Sequence, residues 1–277
     1  MNPEPPFPTT GLRAADGAAA AICTHGAHLC SWIPRRGGER LYLSAKSQAG
    51  PGQAIRGGVP LIFPQFAAEG PLPKHGFARS QAWIPAAGGR RDDGRAYAAY
   101  TLRDSAASRA VWPHAFQAEL QVELHGDEIE IALSVVNLGS EIAAFTAALH
   151  TYLRVTDIAQ VRVHGLKGLH YRDSANGNAA RIEEADAVAI AGEVDRIYFH
   201  APPQVELRDG DTRLQVHSRN FADLVVWNPG PEKAAALADL DAEGWRQMLC
   251  IEAATIAHPV RLAAGARWQA AQRLVLA

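Results

Sequence analysis

Cysteine is scarce in this sequence: only Cys23, Cys30 and Cys250 occur among 277 residues. So odd and sparse a set excludes a disulfide-built framework and suits a reducing compartment, so a cytoplasmic location is expected. The chain also lacks an excess of either charge. Lys and Arg number 27 against 29 Asp and Glu, a formal net charge of −2. No nucleic-acid partner is implied, since such binders are usually basic. A small anion is still possible, because it needs only a few local cations. No run reaches the roughly 18 consecutive apolar residues of a membrane helix. Residues 1–14 lack the basic-then-apolar order of a secretory leader, so neither membrane nor export is expected.

Several catalytic signatures are absent too. The sequence has no HExxH, no paired CxxC, no phosphate-binding Gly-rich loop, no GxSxG elbow and no dinucleotide fingerprint. This argues against metalloprotease, nucleotidase, serine-hydrolase and nicotinamide chemistry. Cys23, His25, His28 and Cys30 are of metal-ligating types. In an extended strand, however, Cys23 and His25 face opposite to His28 and Cys30. No metal is expected.

What is abundant is strand pattern. Leu120, Val122 and Leu124 alternate with polar residues, as do Ile129, Ile131, Leu133 and Val135 beyond His125-Gly126-Asp127. Two alternating runs around a Gly-containing turn predict an antiparallel hairpin. A second hairpin is predicted from residues 205–207 and 214–216, and a more buried strand over residues 221–227, stopped by Asn228-Pro229-Gly230. Residues 88–95 read as a surface turn. Helical periodicity is confined to residues 232–240, with Pro231 suited to a first turn. Residues 1–10, rich in proline, read as a loose lead-in. There is no internal repeat, so 1–277 reads as one all-β domain, a large antiparallel sandwich or barrel with one or two short helices.

Five segments could carry chemistry. Arg56-Gly57-Gly58-Val59-Pro60 begins a loop stiffened by glycine and proline. Lys74-His75-Gly76-Phe77-Ala78-Arg79 concentrates cationic groups suited to an anion, with His75, Phe77 and Arg79 on one face if extended. Residues 145–155, read as one strand, place Phe145, Ala147, Leu149 and Leu153 on one side. Thr146, Ala148, His150, Tyr152 and Arg154 take the other. Glu252 lies in the apolar run Met248-Leu249-Cys250-Ile251-Glu252-Ala253, where burial would be costly unless the carboxyl faces a cleft and acts as a base. Asp195-Arg196 alone reads as a surface ion pair.

The ordered blocks RGGVPLIFPQF, KHGFARSQAW, ALHTYLRV, DRIY, VVWNPGPEKAAALADL and WRQMLCIEAA resemble the aldose 1-epimerase superfamily, and more narrowly its glucose-6-phosphate 1-epimerase (hexose-6-phosphate mutarotase) branch. The resemblance implies a galactose mutarotase-like β-supersandwich and a cofactor-independent isomerase. It further implies a sugar-phosphate substrate, with His150 and Glu252 catalytic, and His75, Arg56, Lys74, Arg79 and Asp195 at the substrate. Lys74 replaces a Gln familiar in the branch, and Ala253 a Pro. On this resemblance His150 would protonate the ring oxygen O5 while Glu252 takes the O1 proton, from opposite sides of the O5–C1–O1 unit. The alternatives are an epimerase of free hexoses, a non-catalytic carbohydrate-binding protein on the same fold, and, less in keeping with a His–Glu pair, a glycoside hydrolase or lyase. A monomer is expected.

Overall fold

The computed structural model describes residues 5–277, so the first four residues of the lead-in lie outside the described residues. Within that lead-in Phe7 packs against Cys23, Cys30, Leu43 and Ile55, and Thr10 already begins a strand. Strands dominate, in line with the alternating sequence, and they form three sheets. Every pairing between named strands is antiparallel.

A nine-stranded sheet carries both predicted hairpins. Phe116–His125 pairs with Glu128–Asn137 through the two-residue turn Gly126-Asp127. Gln204–Asp209 pairs with Thr212–Arg219 around Gly210-Asp211. The predicted turn over residues 88–95 is shorter than expected, because Ile84–Arg90 and Ala96–Arg103 run as strands almost to its tip. An eight-stranded sheet has the order Ala179–Ile182, His170–Asp173, Val194–Tyr198, Asp223–Asn228, Met248–Leu262, Ala143–Leu149, Leu61–Ile62, with Tyr152–Arg154 also pairing to Met248–Leu262. Thr10–Arg13, Ala19–Cys23 and His28–Ile33 make a third, three-stranded sheet.

The two large sheets share one core. Leu120, Val122, Ile131 and Leu274 from the nine-stranded sheet and Phe145, Leu149, Val226 and Ile251 from the eight-stranded sheet belong to the same buried cluster. A second cluster covers the far face of the eight-stranded sheet, with Ala148, Tyr152, Ile197, Val225, Trp227, Cys250 and Ala254. A sheet covered on both faces has no solvent side, so its central strands lose the alternating pattern. That is why Asp223–Asn228 is buried at every position, whereas Phe116–His125 alternates strictly between buried and half-buried.

Two local expectations change. The predicted helix over residues 232–240 is only one and a half turns, Gly230–Ala235, begun by Pro231; the residues beyond continue as turns because Leu237 and Leu240 are drawn down onto the sheet. The predicted single strand over residues 145–155 is two strands, broken at His150-Thr151. The alternation of sides survives the break: Phe145, Ala147, Leu149 and Leu153 enter the inter-sheet core, and Ala148 and Tyr152 the opposite cluster.

Candidate active site

His150 and Glu252 lie on neighbouring strands of the eight-stranded sheet. Leu149 stands opposite Ala253 and Tyr152 opposite Cys250. His150 therefore falls opposite Glu252, and opposed residues of an antiparallel pair project to the same face. His150 Nε2 lies 3.3 Å from Glu252 Oε1. Glu252 is not on an edge strand. Its strand is flanked on both sides, and the residue is 1% exposed. The two groups stand side by side on one face of the sheet. The one-residue register of the sheet leaves no other arrangement.

A cavity of about 390 Å³ opens over this face. All seven expected residues line it: Arg56, Lys74, His75, Arg79, His150, Asp195 and Glu252. They come from five separate stretches of chain and meet only here. A larger, open cleft of about 570 Å³ between Thr10–Arg13 and Ile84–Arg90 is lined by no His, Asp or Glu, so it offers no acid/base chemistry.

The loops reach the cavity by tight backbone turns. Gly58 has φ +57°, and a Cβ there would stand 2.2 Å from Leu29 O and 2.6 Å from His28 Nε2. Gly76 has φ +67°, and a Cβ would stand 2.2 Å from Phe63 O. Only glycine fits either place. Gly58→Ala and Gly76→Ala should each cost roughly 3 kcal/mol, read as a lower urea midpoint with unchanged slope. Wild-type midpoints for both would show that the loops relax freely.

The segment around Gly76 is not extended, so His75, Phe77 and Arg79 do not share one face. His75 itself takes φ +68°, and Ala78–Ser80 is a 3₁₀ turn. Phe77 therefore turns into the inter-sheet core while His75 and Arg79 still face the cavity. Asp195 and Arg196 do not pair with each other. They project to opposite faces of Val194–Tyr198, and Arg196 Nη1 instead donates to the buried Glu183 at 2.7 Å.

Around the pair the environment is aromatic and cationic. The Tyr152 ring stacks on the His150 imidazole, centroids 4.8 Å apart and planes within 10°. Trp227 and His75 meet the same imidazole edge-on at 5.7 and 5.8 Å. Arg56 Nη1 donates to the Tyr152 hydroxyl at 2.9 Å, and its Nε shares a proton with both Asp239 oxygens at 3.2 Å. Lys233, on the short helix, pairs with Glu193 at 2.6 Å. By contrast, neither Lys74 nor Arg79 has an ion-pair partner among the described residues; Arg79 Nη2 donates only to Lys74 O at 3.1 Å.

Desolvation sets the protonation states. Burial pushes the His150 imidazole well below its ordinary 6.5, helped by His75, Arg79 and Arg56. Burial pushes the Glu252 carboxyl well above its ordinary 4.5, reinforced by Asp195 and opposed by Arg79. His75 is lowered to about 3, again by burial and then by Arg79 and Lys74. Asp195 is raised by burial. Lys74 is lowered by burial and by Lys233. Burial thus disfavours charge on His150 and Glu252 separately, while their contact favours an imidazolium–carboxylate pair. Either way the pair holds one proton, and the two arrangements differ by one transfer across 3.3 Å.

The sequence profile described as Aldose 1-epimerase matches residues 9–275. The chain belongs to the aldose 1-epimerase family. A curated relative from Cenchrus ciliaris, named "Putative glucose-6-phosphate 1-epimerase", is 34% identical over 268 residues, 93% of this chain and 81% of the relative. Another of that name, from Escherichia coli, is 32% identical over 85% of this chain and 79% of its own length. A crystal structure titled a "putative mutarotase" from Salmonella typhimurium superposes with TM-score 0.87 at 31% identity, covering 94% of this chain and 87% of that one. A galactose mutarotase related enzyme from Lactobacillus acidophilus, 17% identical, superposes with TM-score 0.78 over 98% of this chain and 97% of that one, and shows the fold alone. The architecture is the antiparallel, galactose mutarotase-like sandwich that the resemblance implied.

Sequence reasoning passed over several residues that this family member brings to the site. Tyr152 shares the His150 face in the sequence pattern, where its ring suits a sugar's C–H face, but its stack on the imidazole is not legible there; Trp227, Lys233 and Asp239 lie within one block with no signal of their own. Only the pairing of Val194–Tyr198, Asp223–Asn228 and Met248–Leu262 brings Trp227 beside His150, and only the short helix brings Lys233 to the rim. Of the metal-type residues near the N-terminus, His28 Nε2 bonds Gly57 O at 2.9 Å and His25 Nε2 bonds Gln53 O at 2.7 Å. Both thus serve loop structure.

Proposed function

We propose that the protein is a hexose-6-phosphate mutarotase, an isomerase that interconverts α and β anomers by acid/base ring opening and closure. The observation that carries this is the His150–Glu252 contact at 3.3 Å, buried at the floor of a cavity ringed by Arg56, Lys74, Arg79 and Lys233. Names of the relatives at 32–34% identity support the same activity.

O1 and O5 are both bonded to C1, so two groups side by side can serve both oxygens from one face. Glu252 accepts the O1 proton while His150 donates to O5. The O5–C1 bond breaks, and C1 becomes the aldehyde carbonyl. Rotation about C1–C2 turns the other carbonyl face to O5. Closure then returns the O5 proton to His150 and the Glu252 proton to O1. The pair's proton count is the same before and after, so no net proton is consumed. The Tyr152 stack restrains the imidazole plane, and the neutral His75 is placed to hydrogen-bond a sugar hydroxyl. Asp195 accepts from other hydroxyls.

The phosphate preference rests on charge. Arg56 has Asp239 and Lys233 has Glu193, but Lys74 and Arg79 have no carboxylate of their own among the described residues. A half-buried Arg79 beside an exposed Lys74, neither with a counter-ion among the described residues, favours a dianionic group, which Arg79 grips through its planar fork. Lys74 in place of Gln adds to that charge. The test is anomer-exchange NMR on glucose 6-phosphate beside free glucose and galactose. The phosphosugar should exchange at least tenfold faster per unit enzyme. Equal rates would remove the phosphate part and leave a free-hexose epimerase, and binding without exchange would leave a carbohydrate-binding protein.

A further inference from the structure

We propose that Gln272, which lies in the other sheet, is a positioning residue for the His150–Glu252 pair. This rests on the reading of that pair as the reacting groups.

The break at His150-Thr151 interrupts a ladder. Thr151 stands opposite Ile251, and Ile251 N donates to Thr151 O at 3.1 Å. In a regular antiparallel pair Thr151 N would return a bond to Ile251 O. Instead Thr151 N turns back to Leu149 O at 3.0 Å, while His150 N, on the other edge, keeps its in-register bond to Pro60 O at 3.0 Å. Ile251 O is thereby left without its ladder partner in a fully buried layer, where an orphaned carbonyl is costly.

Gln272 supplies the missing donor. Its Nε2 donates to Ile251 O at 3.0 Å, and its Oε1 accepts a short hydrogen bond from the Thr151 hydroxyl. The residue is 0% exposed and sits on Arg267–Leu276 between Ala270 and Leu274, both in the inter-sheet core. A glutamine among such residues is expensive unless its amide is fully used, and here both ends are. One amide thus ties the residue after His150 to the residue before Glu252, from behind the sheet. The side chains of Thr151 and Ile251 face Gln272, and those of His150 and Glu252 face the cavity. Shifting the tie therefore shifts the 3.3 Å contact.

The experiment compares Gln272→Leu with Leu274→Ala, a core truncation on the same strand and face. Both lower the melting temperature. Gln272→Leu should lower kcat for anomer exchange about 10- to 100-fold, the cost of ångström-scale misplacement, with KM changed less than about threefold. Leu274→Ala should leave kcat within about twofold. If Gln272→Leu does not fold, Thr151→Val removes the same bridge from its other end, and Thr151→Ser, which keeps the hydroxyl, should restore most of the kcat. The His150 imidazole nitrogen shifts, read by NMR without substrate, should move in Gln272→Leu and Thr151→Val but not in Leu274→Ala. This second reading stands even if the wild-type protein proves not to exchange anomers. Wild-type kcat together with unmoved imidazole shifts in Gln272→Leu or Thr151→Val would overturn the proposal, as would equal kcat losses in the Leu274→Ala control.

Discussion

Glu252→Gln and His150→Asn should each lower kcat for anomer exchange by about 10²–10⁴-fold, the worth of one positioned acid or base. Both replacements are close in shape, so the fold should persist. The accompanying stability change has a sign that depends on pH. Burial raises the Glu252 carboxyl above its ordinary 4.5, so the folded chain holds a proton that the unfolded chain has already released. The resulting penalty is absent below about pH 4.5 and grows as pH rises above it. Glu252→Gln removes it, so its melting temperature should exceed wild type at pH 7–8 and match it near pH 4. His150 is shifted the other way. Its folded value is depressed below 6.5, so its penalty appears as pH falls through the unfolded value and is absent above it. His150→Asn should therefore gain stability at pH 5 and not at pH 8. The paired result to look for is an inactive, more stable protein at opposite ends of the pH range. Turnover near wild type in either variant would mean that the reacting groups lie elsewhere.

Arg79→Ala should raise KM for glucose 6-phosphate about 10- to 100-fold, since a charge-assisted hydrogen bond to a buried anion is worth roughly 1.5–3 kcal/mol. The rate on free glucose should barely change. Arg79 is the better target than Arg56, because Arg56 also holds Tyr152 and Asp239, and its loss would disturb the imidazole stack. Lys74→Gln, which restores the residue familiar in the branch, should raise KM for the phosphosugar by a smaller factor, because Lys74 is exposed and its charge is partly screened. An Arg79→Ala protein that loses free-glucose and phosphosugar turnover equally would place the guanidinium at the ring rather than at the phosphate.

The hairpins were legible because their turns and alternation are local: Gly126-Asp127 and Gly210-Asp211 sit where the pattern pauses. The helix after Pro231 was overextended because its Ala and Leu content is helical by propensity alone. In the fold Leu237 and Leu240 serve the sheet face instead. Likewise nothing in the sequence announces the left-handed backbone of His75, because the residue is not glycine. The break at His150-Thr151 was invisible for a related reason. Its side-chain alternation is unaltered, and only the backbone partners change.

By itself the sequence determined the all-β class, the candidate residues and, through the order of its blocks, the family. Those follow from side-chain type and spacing, which are written in the chain. Tertiary structure alone decided that His150 and Glu252 are cross-strand neighbours on one face, that Tyr152 stacks on the imidazole, and that Lys74 and Arg79 have no carboxylate partner among the described residues. It also brought Gln272 behind the pair. Such relations join residues a hundred positions apart through sheet register and the packing of two sheets, and no local pattern encodes them.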